Sequence, residues 1–279
     1  MQPLPLLYTA PLFPVLDELL IHLLKSLPPE QWERQTVAPR WRVRDVALHL
    51  LDGNLRSLSM LRDGHFGGPP PASAAYADVV SYLNELNGAW VAVGQRLSPA
   101  VITWLLELSG VAYSHYIASL DPAAPAVFSV AWAGEEESLN WFHVAREYTE
   151  KWHHQQQIRA AVGQEAPLLT RELYQSFLAT CVRALPHHYR QVAAPIGTTL
   201  RVEVTGPAGD TWFLRREAPG WELGHGYAGP VAATVQIPGE VAWRLFMKSL
   251  SRQEAARQLA VQGPAELTEP IFSLTAVMA

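Results

Sequence analysis

Cysteine is nearly absent from this chain. Cys181 is the only one in 279 residues, which excludes an intramolecular disulfide and any zinc site built on several thiolates. Flanked by Leu178, Ala179 and Val182, it reads as a small buried hydrophobe rather than a nucleophile. Positive charge is also scarce. The 21 Lys and Arg against 26 Asp and Glu leave a net charge of -5, and no basic stripe is available to neutralise phosphates, so a nucleic-acid partner is not expected. No apolar run reaches the roughly 20 residues of a membrane span; Val101 to Val111 comes nearest, and Glu107 interrupts it. The N-terminus is apolar but lacks the cationic onset of a signal peptide, and its prolines break it. Internal repeats and low-complexity tracts are missing as well. The expectation is a cytoplasmic, soluble protein with no membrane partner.

What is present is a large core in waiting. Apolar residues make up 49% of the chain and Trp occurs ten times, so wholesale disorder is excluded. The first two-thirds carry helical periodicity. Leu16, Leu19, Leu20, Leu23 and Leu24 recur at helical spacing until Pro28 and Pro29. Trp41 to Arg62 forms a second helical stretch with Val43, Val46, Leu50 and Leu51 on one stripe, closed by Asp63 and Gly64. A loop over residues 65–71 follows, then helices over 77–97 and 100–120. Val127 to Trp132 is short and β-branched. Asn140 to Val162 is a long helix stopped by Gly163, and Leu169 to Leu185 is another, ended by Pro186, His187 and His188.

The character changes near Ala193, Ala194 and Pro195. Residues 200–204 and 211–216 alternate around a Gly-Pro turn and predict a hairpin. A further strand is expected at 233–237, helices at 240–250 and 251–259, and a last strand at Ile271 to Met278. The expected fold is therefore an all-α, four-helix-bundle-like domain over residues 1–190 followed by a small α+β domain over 195–279.

The chemistry concentrates on the helix from Asn140. Glu150 and His154 are four residues apart, one above the other on a helix face, where a carboxylate and an imidazole can reach one cation. Bundle metal sites complete such a pair from a facing helix. His49 is the best candidate there, since Val46, Leu50 and Leu51 predict an inward face. Spacing alone does not settle the assignment. His143 and Glu147 form a second pair of the same kind, and His153 lies three residues from Glu150. Without a metal, His49 is a hydrogen-bonded core histidine.

Two motifs resemble the DinB-like superfamily (the DinB/YfiT group), and most closely its mycothiol-dependent maleylpyruvate isomerase branch. One is Trp41-x-Val43-x-Asp45-Val46-x-x-His49-Leu50; the other is Arg146-x-x-x-Glu150-x-x-x-His154. Helical bundle followed by α+β segment, related in the family to sterol-carrier-like folds, is a third likeness. The isomerase branch commonly carries an Asp shortly after the second His, where this chain has Gln155, Gln156 and Gln157. That departure bears on the substrate and not on the ligands. The resemblance implies one divalent metal ion, zinc or nickel foremost, held by His49, Glu150 and His154. It also implies a low-molecular-weight thiol cosubstrate such as mycothiol, bacillithiol or glutathione, and a small-molecule electrophile; a homodimer is compatible with it.

Three protein ligands leave an open position, the mark of a catalytic centre. A bound ion lowers the pKa of a thiol or water, and with only Cys181 in the chain the thiol must come from outside. The expected function is a metal-dependent thiol transferase or isomerase. A metal-containing binding protein without catalysis and a metal-dependent hydrolase of small molecules are the alternatives. Asp45 and Asp52, one turn either side of His49, are candidates to orient its second nitrogen. Arg146 is a weaker candidate for a substrate carboxylate, with an ion pair to Glu147 or Glu150 as the plainer role. Asn84 and Asn87 are positioned to face a pocket, Trp132 and Trp152 are wall or core, and His187 and His188 are expected in solvent.

Overall fold

The computed structural model describes residues 1–73 and 75–277, and contacts divide the chain into two compact units. The helical unit comprises Thr9–Asp121 and Glu150–Pro167. The sheet unit comprises Met1–Tyr8, Pro122–Thr149 and the chain from Leu168 onward. This division differs from a break at 190/195, because residues 122–149 and 168–190 group with the sheet. Side-chain bonds to distant carbonyls explain why. Tyr148 donates to Leu173 O at 2.8 Å, Tyr174 to Gly239 O at 2.6 Å and Tyr189 to Leu267 O at 2.9 Å.

The helical unit holds α1 (Phe13–Ser26), the short α2 (Pro29–Trp32), α3 (Val43–Ser57), α4 (Tyr76–Gly94), α5 (Pro99–Ser119) and the second half of α6 (Asn140–Val162). α3 begins where Asp45 folds back to accept from Arg42 N at 2.8 Å, a capping arrangement that fills an orphan donor. It runs on into a wider turn at Leu58–Arg62. α6 stops as its sequence predicts: Gly163 takes φ 75°, and Gln164 N donates to Arg159 O at 2.9 Å, the closing bond of a left-handed C-cap.

The core of this unit gathers Leu20, Leu23, Val46, Leu51, Ile102 and Ile158. Each such side chain contributes about 1.5–3 kcal/mol when fully buried. Polar residues of α6 are buried beside it, and several find partners there. Lys151 Nζ pairs with Asp17 Oδ1 at 2.5 Å, Arg159 donates to Leu19 O at 2.9 Å, and Ser114 donates to Asp17 Oδ2 at 3.1 Å. With its amide turned to suit its neighbours, Gln155 donates to Leu16 O at 3.1 Å and accepts from Arg159 and Leu20 N. These bonds allow a helix rich in Gln, His and charge to sit inside the bundle.

The sheet unit carries β1 (Gln2–Pro3), α7 (Arg171–Cys181), α8 (Leu185–His188), β2 (Thr199–Val204), β3 (Thr211–Arg216), β4 (Trp221–His225), β5 (Ala233–Ile237), α9 (Gly239–Phe246), α10 (Arg252–Gln258), β6 (Ala260–Gln262) and α11 (Ala265–Thr268). The strand order is β1-β4-β3-β2-β5-β6. β2 and β3 form the expected antiparallel hairpin, and β5 lies parallel to β2. Inward residues such as Leu200, Val202, Leu214 and Val235 are fully buried.

One expected strand is not a strand, and the β-branched stretch before α6 is not one either. Residues 127–132 make a loop ending in a 3-10 turn at Ala131–Ala133, with Val130 N tied to Ser138 Oγ at 2.9 Å. At 271–277 the chain forms a 3-10 turn over Glu269–Ser273 and then irregular structure; Met278 lies outside the described residues. Ile271, Phe272 and Leu274 are buried there, so the apolar run is core filling without strand pairing. Among the described residues no helix is long and apolar enough to cross a membrane.

Candidate metal centre

His49 on α3 and Glu150 and His154 on α6 meet inside the helical unit. One ligand atom from each lies within 4.8 Å of the others, and among the described residues no further His, Cys, Asp or Glu joins this group. Local helix geometry accounts for the pair on α6: Glu150 Oε2 sits 3.5 Å from His154 Nε2, one turn on. The rings of His49 and His154 stand edge to face with centroids 4.4 Å apart. Trp41 covers both, at 4.7 Å from His49 and 5.9 Å from His154. The His153 ring lies tilted against that of His154, 3.8 Å away, without entering the ligand group.

The electrostatics suit a cation. Burial, and then the neighbouring His154, hold the His49 imidazole well below its usual value, so it is neutral. Burial alone would raise Glu150, but its hydrogen bond with His154 and the nearby imidazoles outweigh that and hold it at about 2. The site therefore presents an ionised carboxylate and a neutral imidazole, each with lone pairs free of protons. His49 Nδ1 is buried and has no hydrogen-bond partner. An orphaned buried nitrogen beside a carboxylate and a second imidazole fits a divalent ion of the zinc type.

Gln157 was not singled out by sequence for a role here. Its Oε1 lies 3.0 Å from His154 Nδ1. An amide oxygen can only accept, so Gln157 orients His154 by taking the Nδ1 proton, and Nε2 is the nitrogen that would face an ion held on the Glu150 side. The i,i+3 spacing from His154 on a buried helix was the available signal.

The other sequence candidates have different positions. Asp45 accepts from Arg42 N and from Gln95 Nε2 at 2.7 Å; it caps α3 and does not orient His49. Asp52 faces Arg56 at 3.4 Å. Arg146 belongs to the sheet unit, 2.7 Å from Glu147 and 2.8 Å from His143 Nδ1. His143 is buried with them, and burial lowers its pKa to about 4. Trp132 packs edge to face on Phe142, and Trp152 is fully buried, so both are core. His187 and His188 are half-buried rather than solvated; His188 Nε2 reaches Pro270 O at 2.7 Å.

Comparison with known proteins follows the same lines. A crystal structure of a histidine-to-alanine variant of the mycothiol-dependent maleylpyruvate isomerase is 12% identical. It matches over 94% of this chain and 96% of its own, with a TM-score of 0.55. A second structure of that isomerase is 13% identical over 88% and 91%, with a TM-score of 0.52. At these identities the likeness shows the fold: a helical N-terminal region with a C-terminal sheet domain. A ubiquinone synthesis protein, UbiJ-SCP2, is 25% identical over 39% of this chain, and its TM-score of 0.25 bears no weight. No curated protein sequence matches the chain. Residues 15–159, which hold all three candidate ligands, match the mycothiol maleylpyruvate isomerase N-terminal domain, and the chain belongs to that family.

Proposed function

We propose that this protein is a divalent-metal-dependent enzyme that uses a low-molecular-weight thiol as cosubstrate, in the manner of a maleylpyruvate isomerase. The observation that carries the reading is the meeting of His49, Glu150 and His154 with no fourth protein ligand among the described residues. That number leaves coordination open to a guest. A bound zinc or nickel ion would supply Lewis acidity, holding a thiol as thiolate at neutral pH.

The chain's own groups do the rest. Glu150 brings the one negative charge and His49 and His154 bring neutral nitrogens, so the site keeps a net positive charge when filled. Gln157 fixes which nitrogen of His154 faces inward. Trp41 shields both rings from bulk water.

Isomerisation of an electron-poor alkene then needs only reversible addition. The thiol loses its proton, a C–S bond forms as the C=C pair moves toward the adjacent carbonyl, the new single bond rotates, and the C–S bond breaks. The thiol regains its proton, and nothing is oxidised or reduced. Mycothiol is the favoured thiol because of the family, with bacillithiol and glutathione as comparisons.

The test is turnover of maleylpyruvate by the purified protein, followed by absorbance, with metal and thiol added singly and together. Isomerisation only when both are present is expected. Turnover unchanged without thiol would transfer the centre to hydrolytic chemistry. No turnover with any of the three thiols, despite a full metal complement, would overturn the reading in favour of a binding protein.

A further inference from the structure

The seam between α3 and α4, within the helical unit, is tight at one end and looser at the other, its open end, where the side chains of α4 are partly exposed. At the tight end Trp90 Nε1 donates to Leu48 O at 2.9 Å and Gln95 Nε2 donates to Asp45 Oδ1 at 2.7 Å. A Cβ on Gly94 would lie 2.5 Å from Leu48 Cδ2, so any larger residue there would have to push Leu48 aside. These contacts set an antiparallel register. Followed back along α4, it brings Asn87 level with Asp52 and Asn84 level with Arg56. Toward that end no described side chain of α4 before Gly94 is fully buried.

Polar atoms collect at the open end. His49, Asp52 and Arg56 share one face of α3 at three- and four-residue steps. Asn87 shares the inner face of α4 with Trp90 and Val91, which pack on the core. Asp52 is only 8% exposed. Asp52 Oδ2, Arg56 Nη1 and Asn87 Oδ1 are all buried and make no hydrogen bond. Asp52 and Arg56 stand 3.4 Å apart, close enough to attract but not aligned for a hydrogen bond. Buried groups left in this state are costly and call for a partner.

The mixture of groups decides what partner suits them. One cationic donor lies beside a carboxylate, and the register sets an amide on the facing helix level with them, so a second carboxylate or a phosphate would meet Asp52 as well as Arg56. A hydroxyl both donates and accepts, and neighbouring hydroxyls can satisfy all three atoms. We infer that the open end of the α3–α4 seam is a subsite for the hydroxyl-rich part of a ligand, with Arg56 donating and Asp52 and Asn87 accepting. The inference deepens the thiol-cosubstrate reading and rests on it for which molecule arrives, because His49 lies on the same helix face.

Calorimetric titration of the zinc-loaded protein with three probes tests it: mycothiol, whose sugar and inositol rings carry many hydroxyls; its S-methyl derivative; and N-acetylcysteine, a thiol without sugar. Asn87→Leu should weaken mycothiol and the S-methyl derivative about 10-fold, the scale of one lost hydrogen bond to a buried group, while N-acetylcysteine stays within about 2-fold. Arg56→Gln is the second variant, should Asn87→Leu disturb α4. Equal weakening of all three probes, no weakening of any, or no binding of either hydroxyl-rich probe would overturn the subsite. If the S-methyl derivative binds as tightly as mycothiol and both respond to the variants, the subsite stands and the thiol chemistry falls.

Discussion

One helix carries the same spacing twice, and only one copy meets a third candidate ligand from another helix. On α6, His143 and Glu147 are four residues apart, as are Glu150 and His154. In the sheet unit, Arg146 fills the first pair, touching His143 at 2.8 Å and Glu147 at 2.7 Å. Its guanidinium takes the place a cation would have. In the helical unit, the second pair meets the ring of His49 from α3, whose Nδ1 has no partner. The i,i+4 rule places two ligands on one face, but a metal site needs a third group from another helix and no resident cation between them.

The comparison is easiest to break by substitution at both copies. His154→Ala should take bound metal from near one ion per chain to near zero by elemental analysis, while His143→Ala leaves it unchanged. Equal loss from both would erase the distinction. Stability should separate them next. His143 is neutral in the fold with a pKa near 4, against 6.5 when exposed. As pH falls below 6.5 the unfolded chain takes up a proton that the folded chain refuses, so stability declines between pH 6.5 and 4, by about 3 kcal/mol. Above pH 6.5 this contribution is flat. Urea midpoints over that range would show the slope, which His49, also held neutral by burial, shares; His143→Gln should make it shallower, and a variant profile as steep as wild type would contradict the buried neutral imidazole.

A smaller effect is expected one layer out from the ligands. Gln157→Leu removes the acceptor for His154 Nδ1 and should weaken zinc binding about 10- to 100-fold, with Gln157→Glu restoring most of it. Unchanged affinity in a competition titration would mean His154 needs no such support. The mildest change is Glu150→Gln, which keeps an oxygen in place but withdraws the charge; metal content should fall partway rather than vanish, and full retention would take Glu150 out of the ligand group.

Much of this arrangement was readable from residue order. The helices of the bundle, their stops at Pro28 and Gly163, and the β2–β3 hairpin follow from local periodicity and turn chemistry. The triad was legible as a hypothesis because Val46, Leu50 and Leu51 turn His49 inward. What escaped depends on partners distant in sequence. β4 was missed because Trp221-Glu-Leu-Gly-His225 carries a glycine mid-strand and is fixed by pairing with β3 on one side and β1 on the other. Residues 127–132 have strand composition, but only an isolated bridge, Pro125 to Leu139, forms nearby. Asp45 resembled a second-layer partner of His49 in sequence, yet its carboxylate turns back to the start of its own helix. Gln157 gave the opposite error, for its residue type hid a specific contact.

Gln2 and Pro3 lie against His225 and Gly224 at the sheet edge. The ribosome makes these two residues well before their neighbours, which emerge more than two hundred residues later. Until then this segment has no strand to join, so this edge of the sheet can close only after most of the helical unit has already left the exit tunnel.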